Sequence, residues 1–218
     1  LDANNTNSYS GSGTTVNDLS GNGYTHTLSS SGIYTTLSGI KCFNCSTSGV
    51  VSAAVTGPLL PTTGFTYICW GRLLNSTAGY RTLWRTQPSD HPLLFEQGSN
   101  RMGMWDNDGV GFWYSGYTPT ILADTWVQYA VTGTNTTQTF YINGQQVGTT
   151  ANGTGGNRHA EWGSTSGGQP FGYVANMQLY STILTQPQIQ QLFTSTRSRF
   201  GLAIYTTVAT TTWTAPPG

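Results

Sequence analysis

Trp126-Val127-Gln128-Tyr129-Ala130-Val131-Thr132 and, after a polar gap, Phe140-Tyr141-Ile142-Asn143-Gly144-Gln145-Gln146-Val147-Gly148 form the stretch that decides the fold. Its arms alternate with period two: Val127, Tyr129 and Val131 share one face, and Phe140 and Ile142 share a face of the second arm, the pattern of half-buried strands. Asn143-Gly144 supplies the two positive-φ positions of a type I′ hairpin. The segment predicts an antiparallel meander.

The composition extends this to the whole chain. Only 7% of the 218 residues are charged, and eight basic side chains cancel eight acidic ones. No field exists to attract nucleic acid or an anionic membrane. Strong helix formers are scarce, with a single Lys (Lys41) and two Glu (Glu96, Glu161), whereas β-branched and aromatic residues abound. An all-β fold is expected. No apolar run approaches the ~18 residues of a membrane span. The start at Leu1 shows no signal peptide, and the chain reads as a fragment without its original N-terminus. The three cysteines, Cys42, Cys45 and Cys69, leave two options open, a structural bridge from Cys69 to one of the others or three free thiols.

Along the chain, Asp18-Leu19-Ser20-Gly21-Asn22-Gly23 reads as a tight loop buttressed by its own side chains. Short strands follow to Val55, and Pro58-Leu59-Leu60-Pro61 breaks the run. Phe65 to Arg72, apolar on both faces, reads as a central strand. Further β-prone segments recur about every dozen residues, the rhythm of a sandwich. Ala151 to Gly168 reads as a long loop carrying a short strand, and Phe171 to Tyr180 as an alternating last core strand. Thr185 to Gln188 matches a capping box, with Ile189, Leu192 and Phe193 at i, i+3 and i+4, so about two turns of amphipathic helix should dock on the sandwich. Arg197 and Arg199 are expected to complement that helix's C-terminal dipole. Residues 1–200 are read as one sandwich domain, and 201–218 as a Thr/Pro-rich linker or the start of a following module.

Asp18 to Gly23, the Phe65 to Trp70 strand, Trp126-Val127 with Phe140 to Gly144, and Ala175 to Tyr180 with Leu184-Thr185 to Ile189 together resemble the laminin-G-like and pentraxin-like branch of the concanavalin A-like lectin/glucanase superfamily. The resemblance implies a jelly-roll sandwich of two curved antiparallel sheets with one short C-terminal helix, used as a carbohydrate- or protein-binding appendage. The opening Leu1-Asp2-Ala3 and the Trp213 to Gly218 tail look similar to copies in virion proteins, phage fibres and bacterial surface proteins.

Retaining glycoside hydrolysis needs two carboxyl groups about 5 Å apart. Glu96 and Glu161 are isolated in sequence, and neither the clustered carboxylates of the superfamily's hydrolases nor the Gln-x-His of its lyases occurs. A non-catalytic domain is therefore expected. Asp106 and Asp108 offer alternate hard oxygen ligands of the kind Ca²⁺ takes, with Asp18 and Asn22 as a second pair. Aromatics crowd residues 80 to 117, and sugar C–H faces stack on exposed rings while polar groups bind hydroxyls. In Phe112-Trp113-Tyr114 either Trp113 or the Phe112/Tyr114 pair must leave the core. Arg101, Trp105, Asp106, Asp108, Trp113, Tyr114 and Tyr117 are the candidate ligand surface. His26, His91 and His159 lack metal-ligand spacing and read as surface or loop residues. The functional expectation is a lectin-like domain on a virion or other extracellular attachment protein, recognising a host-surface or cell-wall glycan beside neighbouring domains of a longer chain. A structural protein-contact module of a capsid or fibre is the alternative, and a polysaccharide-active enzyme the third reading.

Overall fold

The structure is a computed structural model, and it describes residues 1–202 apart from 48, 54–59, 88–89, 108, 110, 121–123, 154–157 and 164–167. Pro58 and Leu59 of the expected proline break fall outside these residues, and the 201–218 tail almost wholly. Strands are numbered in chain order. One sheet runs β1 (Thr15–Asn17), β2 (Thr25–Leu28), β5 (Val51–Ala53), β14 (Arg158–Trp162), β7 (Arg81–Gln87), β8 (His91–Phe95), β9 (Met102–Asp106), β10 (Gly111–Tyr117). The facing sheet runs β13 (Gln145–Thr150), β12 (Gln138–Ile142), β11 (Trp126–Gly133), β6 (Phe65–Leu73), β15 (Gly172–Tyr180), β4 (Ile40–Cys45), β3 (Tyr34–Leu37). Every strand pairing is antiparallel.

The meander forms as its alternation dictates. Val127, Tyr129 and Val131 of β11 and Phe140 and Ile142 of β12 face the inter-sheet core. Asn143 and Gly144 take φ of 51° and 79°. The turn is also fastened sideways, since the Gln128 amide donates to Asn143 Oδ1 at 2.9 Å and the Asn143 amide to the Gln128 carbonyl at 2.8 Å.

Strand β6 is apolar on both faces because both are covered. Phe65, Tyr67 and Cys69 enter the core between the sheets. On the opposite face Ile68 and Trp70 lie under helix α1 (Gln186–Thr196). Ile189 packs with Ile68 and Ala130, and Phe193 stacks on Trp70 at 5.8 Å. The Thr185 amide donates to Gln188 Oε1 at 2.8 Å, the reach-back half of the expected capping box. The Trp70 indole is the central anchor. Its Nε1 donates to Thr196 Oγ1 at 2.8 Å, and its ring stacks on Phe200 at 4.1 Å.

Two expectations are corrected here. Arg199 does not serve the helix terminus: its Nη1 and Nη2 donate to both Asp2 carboxylate oxygens at 2.6 and 2.7 Å, tying the N-terminal strap to the end of the helical segment. Burial pushes the Asp2 carboxyl up, but the Arg199 hydrogen bonds outweigh it and hold the group below its ordinary value. His26, His91 and His159 are not surface residues, being 4%, 8% and 2% exposed. The cysteine alternatives resolve to three free, buried thiols. Cys42 and Cys45 sit three apart on β4 and so face opposite sides, Cys42 toward the helix and Cys45 toward the core. Burial pushes Cys42 up to about 12.

Truncating Trp70 to Ala should cost about 3–5 kcal/mol in urea unfolding. Thr196→Val should cost about 1–3 kcal/mol, because it leaves the indole N–H buried without a partner. An unchanged midpoint for Thr196→Val would show that this hydrogen bond does not hold the helix to the sheet.

Candidate functional site

The hairpin β9–β10 lies at one edge of the eight-stranded sheet, and strand alternation sorts its aromatic residues onto two faces. Trp113 and Tyr117 pack against the inter-sheet core beside Met102 and Met104. Phe112 and Tyr114 are therefore the pair that leaves the core, opposite Trp105 and Gly103 in the register. Gly103 makes room for them. A β-carbon there would lie 2.1 Å from the Trp113 carbonyl oxygen and 2.8 Å from the Phe112 ring, so the ring lies across bare backbone.

On this outer face the rings form a cluster. Tyr80 meets Trp105 edge-on at 5.3 Å and Phe112 at 6.5 Å. The Arg101 guanidinium sits 5.0 Å over the Tyr114 ring and 5.6 Å over Phe112. Glu96 holds Arg101 in place by accepting from Nε at 2.6 Å and Nη2 at 2.8 Å. This forked pair fixes a cation in the plane of a carboxylate, leaving the guanidinium face for the rings. Hydrogen bonds from Arg101 hold the Glu96 carboxyl below its ordinary range. Trp105 Nε1 donates to Asn107 Oδ1 at 3.1 Å, and the Tyr114 hydroxyl lies 3.0 Å from Thr118 Oγ1. Tyr114 is among the few large hydrophobic side chains exposed to solvent, at 39%. The surface offers flat rings edged by amides, hydroxyls and a neutralised cation.

Of the residues singled out in the sequence, Arg101, Trp105 and Tyr114 are brought together. Trp113 and Tyr117 lean into the core instead. Asp106 is directed away from the rings, accepting from Asn152 Nδ2 at 2.9 Å. Asp108 lies outside the described residues. Tyr80, Phe112 and Glu96 complete the cluster; Tyr80 and Phe112 belong to the aromatic crowding seen in the sequence and Phe112 to the pair that could leave the core, whereas Glu96 is marked by nothing in its spacing, because it meets Arg101 only through the fold.

Among the described residues no group of three or more His, Cys, Asp or Glu side chains converges to hold a metal. The Asp18 carboxylate accepts from the amide and the hydroxyl of Ser20, and Asn22 Nδ2 donates to Ser20 Oγ at 2.8 Å, so this loop satisfies itself. The two glutamates also stay apart: Glu96 serves Arg101, and Glu161 faces Arg85 at 3.7 Å.

A family model described as the concanavalin A-like lectin/glucanases superfamily matches residues 46–190. No curated protein matches the chain. Among solved structures, Trypanosoma rangeli sialidase in complex with sialic acid aligns with a TM-score of 0.61 and 14% identity over 90% of this chain and 32% of that one. The botulinum neurotoxin serotype D ligand binding domain in complex with N-acetylneuraminic acid aligns with a TM-score of 0.59 and 12% identity over 83% of this chain and 48% of that one. The chain thus spans about a third of the sialidases and half of the neurotoxin domains. These matches correct the expectation of a non-catalytic domain: the architecture is shared with sialidases, so missing carboxylate motifs do not separate this chain from enzymes.

Because the folded state lowers the Glu96 pKa, the contribution of its pair is present above the ordinary carboxylate value and is lost as pH falls through the folded one. The stability gap between the wild type and Glu96→Gln should therefore be widest near neutrality and close below about pH 4. A gap of the same size at both ends of that range, in denaturant unfolding, would rule out a charge-based pair.

Proposed function

The chain belongs to the concanavalin A-like lectin/glucanase superfamily, and from that premise we propose that it recognises carbohydrate through the outer face of β9–β10. The observation that carries this reading is the cluster of half-buried Tyr80, Trp105 and Phe112 with exposed Tyr114, braced by the Arg101–Glu96 fork. Pyranose rings have apolar C–H faces that stack on such side chains, and their hydroxyls fit the surrounding amide and hydroxyl groups. The low charge supports the same reading, since Glu96 neutralises Arg101 and the surface selects by shape and hydrogen bonding.

The neurotoxin domain that binds N-acetylneuraminic acid supports a sugar as the ligand class. The setting we favour is an attachment protein on a virion or another extracellular surface, with the glycan on a host surface or cell wall and further domains in the same chain. That setting rests on the sequence likeness of the two chain ends to virion and fibre proteins.

Glycan-array binding should be retained by the wild type and weakened roughly tenfold or more by Trp105→Ala and by Tyr114→Ala, the loss of about one stacked ring. Circular dichroism should show both variants folded. Trp113→Ala, by contrast, should lose stability first, because its ring packs on the core. The bound glycans should also be assayed for new reducing ends, given the sialidase architecture. No binding across host and cell-wall polysaccharides by folded protein would overturn the proposal and favour a protein-contact module.

A further inference from the structure

A cavity of about 500 Å³ opens between the sheets, away from the ring cluster, and its lining includes His26, His159, Trp162, Asp18, Gln178 and Leu179. That volume is within the roughly 300–1,000 Å³ of small-molecule sites. The loop containing Asp18 and Asn22 forms its rim, β2 and β14 one wall, and the second half of β15 the other.

Two β-bulges build it. The register between β14 and β7 shifts between His159 and Glu161, so His159 and Trp162, three residues apart, both face inward. The register between β15 and β6 shifts between Val174 and Met177, reversing the alternation so that Met177 and Leu179 turn to the same interior. Bulges commonly re-aim side chains in this way.

Polar atoms without partners converge on this wall. Both ring nitrogens of His159, Nδ1 of His26 and Nε1 of Trp162 are buried with no hydrogen-bond partner among the described residues, and so is the hydroxyl of Tyr67. His159, His26 and Trp162 are 2%, 4% and 2% exposed. The rings form one contiguous group: His159 lies 4.9 Å from Trp162, 5.6 Å from His26 and 5.7 Å from Tyr67. Buried polar atoms are rarely left unsatisfied, and each such atom costs about 1–3 kcal/mol. Four of them on side chains that line one cavity point to something that binds there.

The chemistry of the lining narrows what it is. Burial pushes His26 down to about 4 and His159 far below the usual imidazole value, so both are neutral near pH 7. A neutral imidazole offers one donor and one acceptor, and the indole one donor, a set that matches hydroxyl groups. Among the described residues no Lys or Arg lines the cavity while Asp2 and Asp18 do, and the Leu1 amino group at its wall already donates to the Met177 carbonyl at 2.8 Å, which together disfavour an anion. Trp162, Met177 and Leu179 add an apolar side. We propose that this inter-sheet cavity is a binding site for a neutral, polyhydroxylated molecule of monosaccharide size, held by the inward faces of β2, β14 and β15. None of its residues belongs to the ring cluster, so the site does not depend on the reading given to β9–β10.

The test is ¹H–¹⁵N NMR of the histidine imidazoles of the wild-type chain during titration with galactose, mannose and N-acetylglucosamine, with sialic acid as the anionic comparison. At least one neutral sugar should shift the His26 and His159 signals while sialic acid does not. Affinity should fall roughly tenfold or more in His159→Phe or His26→Phe and be unchanged in Trp105→Ala. Imidazole signals unmoved by every neutral sugar, or shifted equally by sialic acid, would overturn the proposal. So would sugar-induced shifts abolished by Trp105→Ala and retained by the histidine variants. Because the wild-type titration reads the site directly, the outcome does not hang on whether a histidine variant folds.

Discussion

The closed seam around strand β6 is the constraint on which the rest of this molecule depends. Its inward residues Phe65, Tyr67 and Cys69 fill the space between the sheets, and its outward residues Ile68 and Trp70 would stand in water without α1 above them. Burying both faces of one strand demands three layers, sheet on sheet with a helix on the back. Trp70 is where the demand is met most directly, since one indole stacks on Phe193 and Phe200 and hydrogen-bonds Thr196. The Asp2–Arg199 fork then closes the two ends of the domain over the same side.

Among its few charges, two forked pairs act in positioning. Glu96 and Arg101 present a guanidinium face to two rings, and Asp2 and Arg199 fasten a strap to a helix end. Loops are held by short-range hydrogen bonds from Asp, Asn and Ser to nearby amides, as in Asp18 with Ser20 and Asn44 with Ser46. Two features stand apart in the fold: an outer face of rings on the edge hairpin, and an interior cavity lined by the imidazoles of His26 and His159. In the roles proposed above, the first binds by stacking and the second by hydrogen bonds.

Much of the architecture is legible from short-range pattern. The positive φ at Asn143 and Gly144, the Thr185–Gln188 cap and the period-two faces of β11 follow from residue chemistry that acts within a few positions. The same alternation implies that Trp113 and the Phe112/Tyr114 pair face opposite ways. It does not say which goes inside, because both options bury large aromatic surface. The register against Met104 and Gly103 decides it, the glycine leaving space for Phe112 only on the outer side.

What the sequence by itself determined is an all-β sandwich with a docked helix, since side-chain alternation, turn chemistry and capping are local properties. Only the tertiary structure decided where the histidines lie and which aromatic residues meet. His26 and His159 are more than 130 residues apart and become neighbours through the order β2–β5–β14. The bulges that turn His159 and Met177 inward are single breaks in register, invisible in a chain whose residues look the same on either side of them. Periodicity is fixed by the backbone of one strand, whereas its phase is fixed by the strand hydrogen-bonded alongside, and that partner is set by the fold.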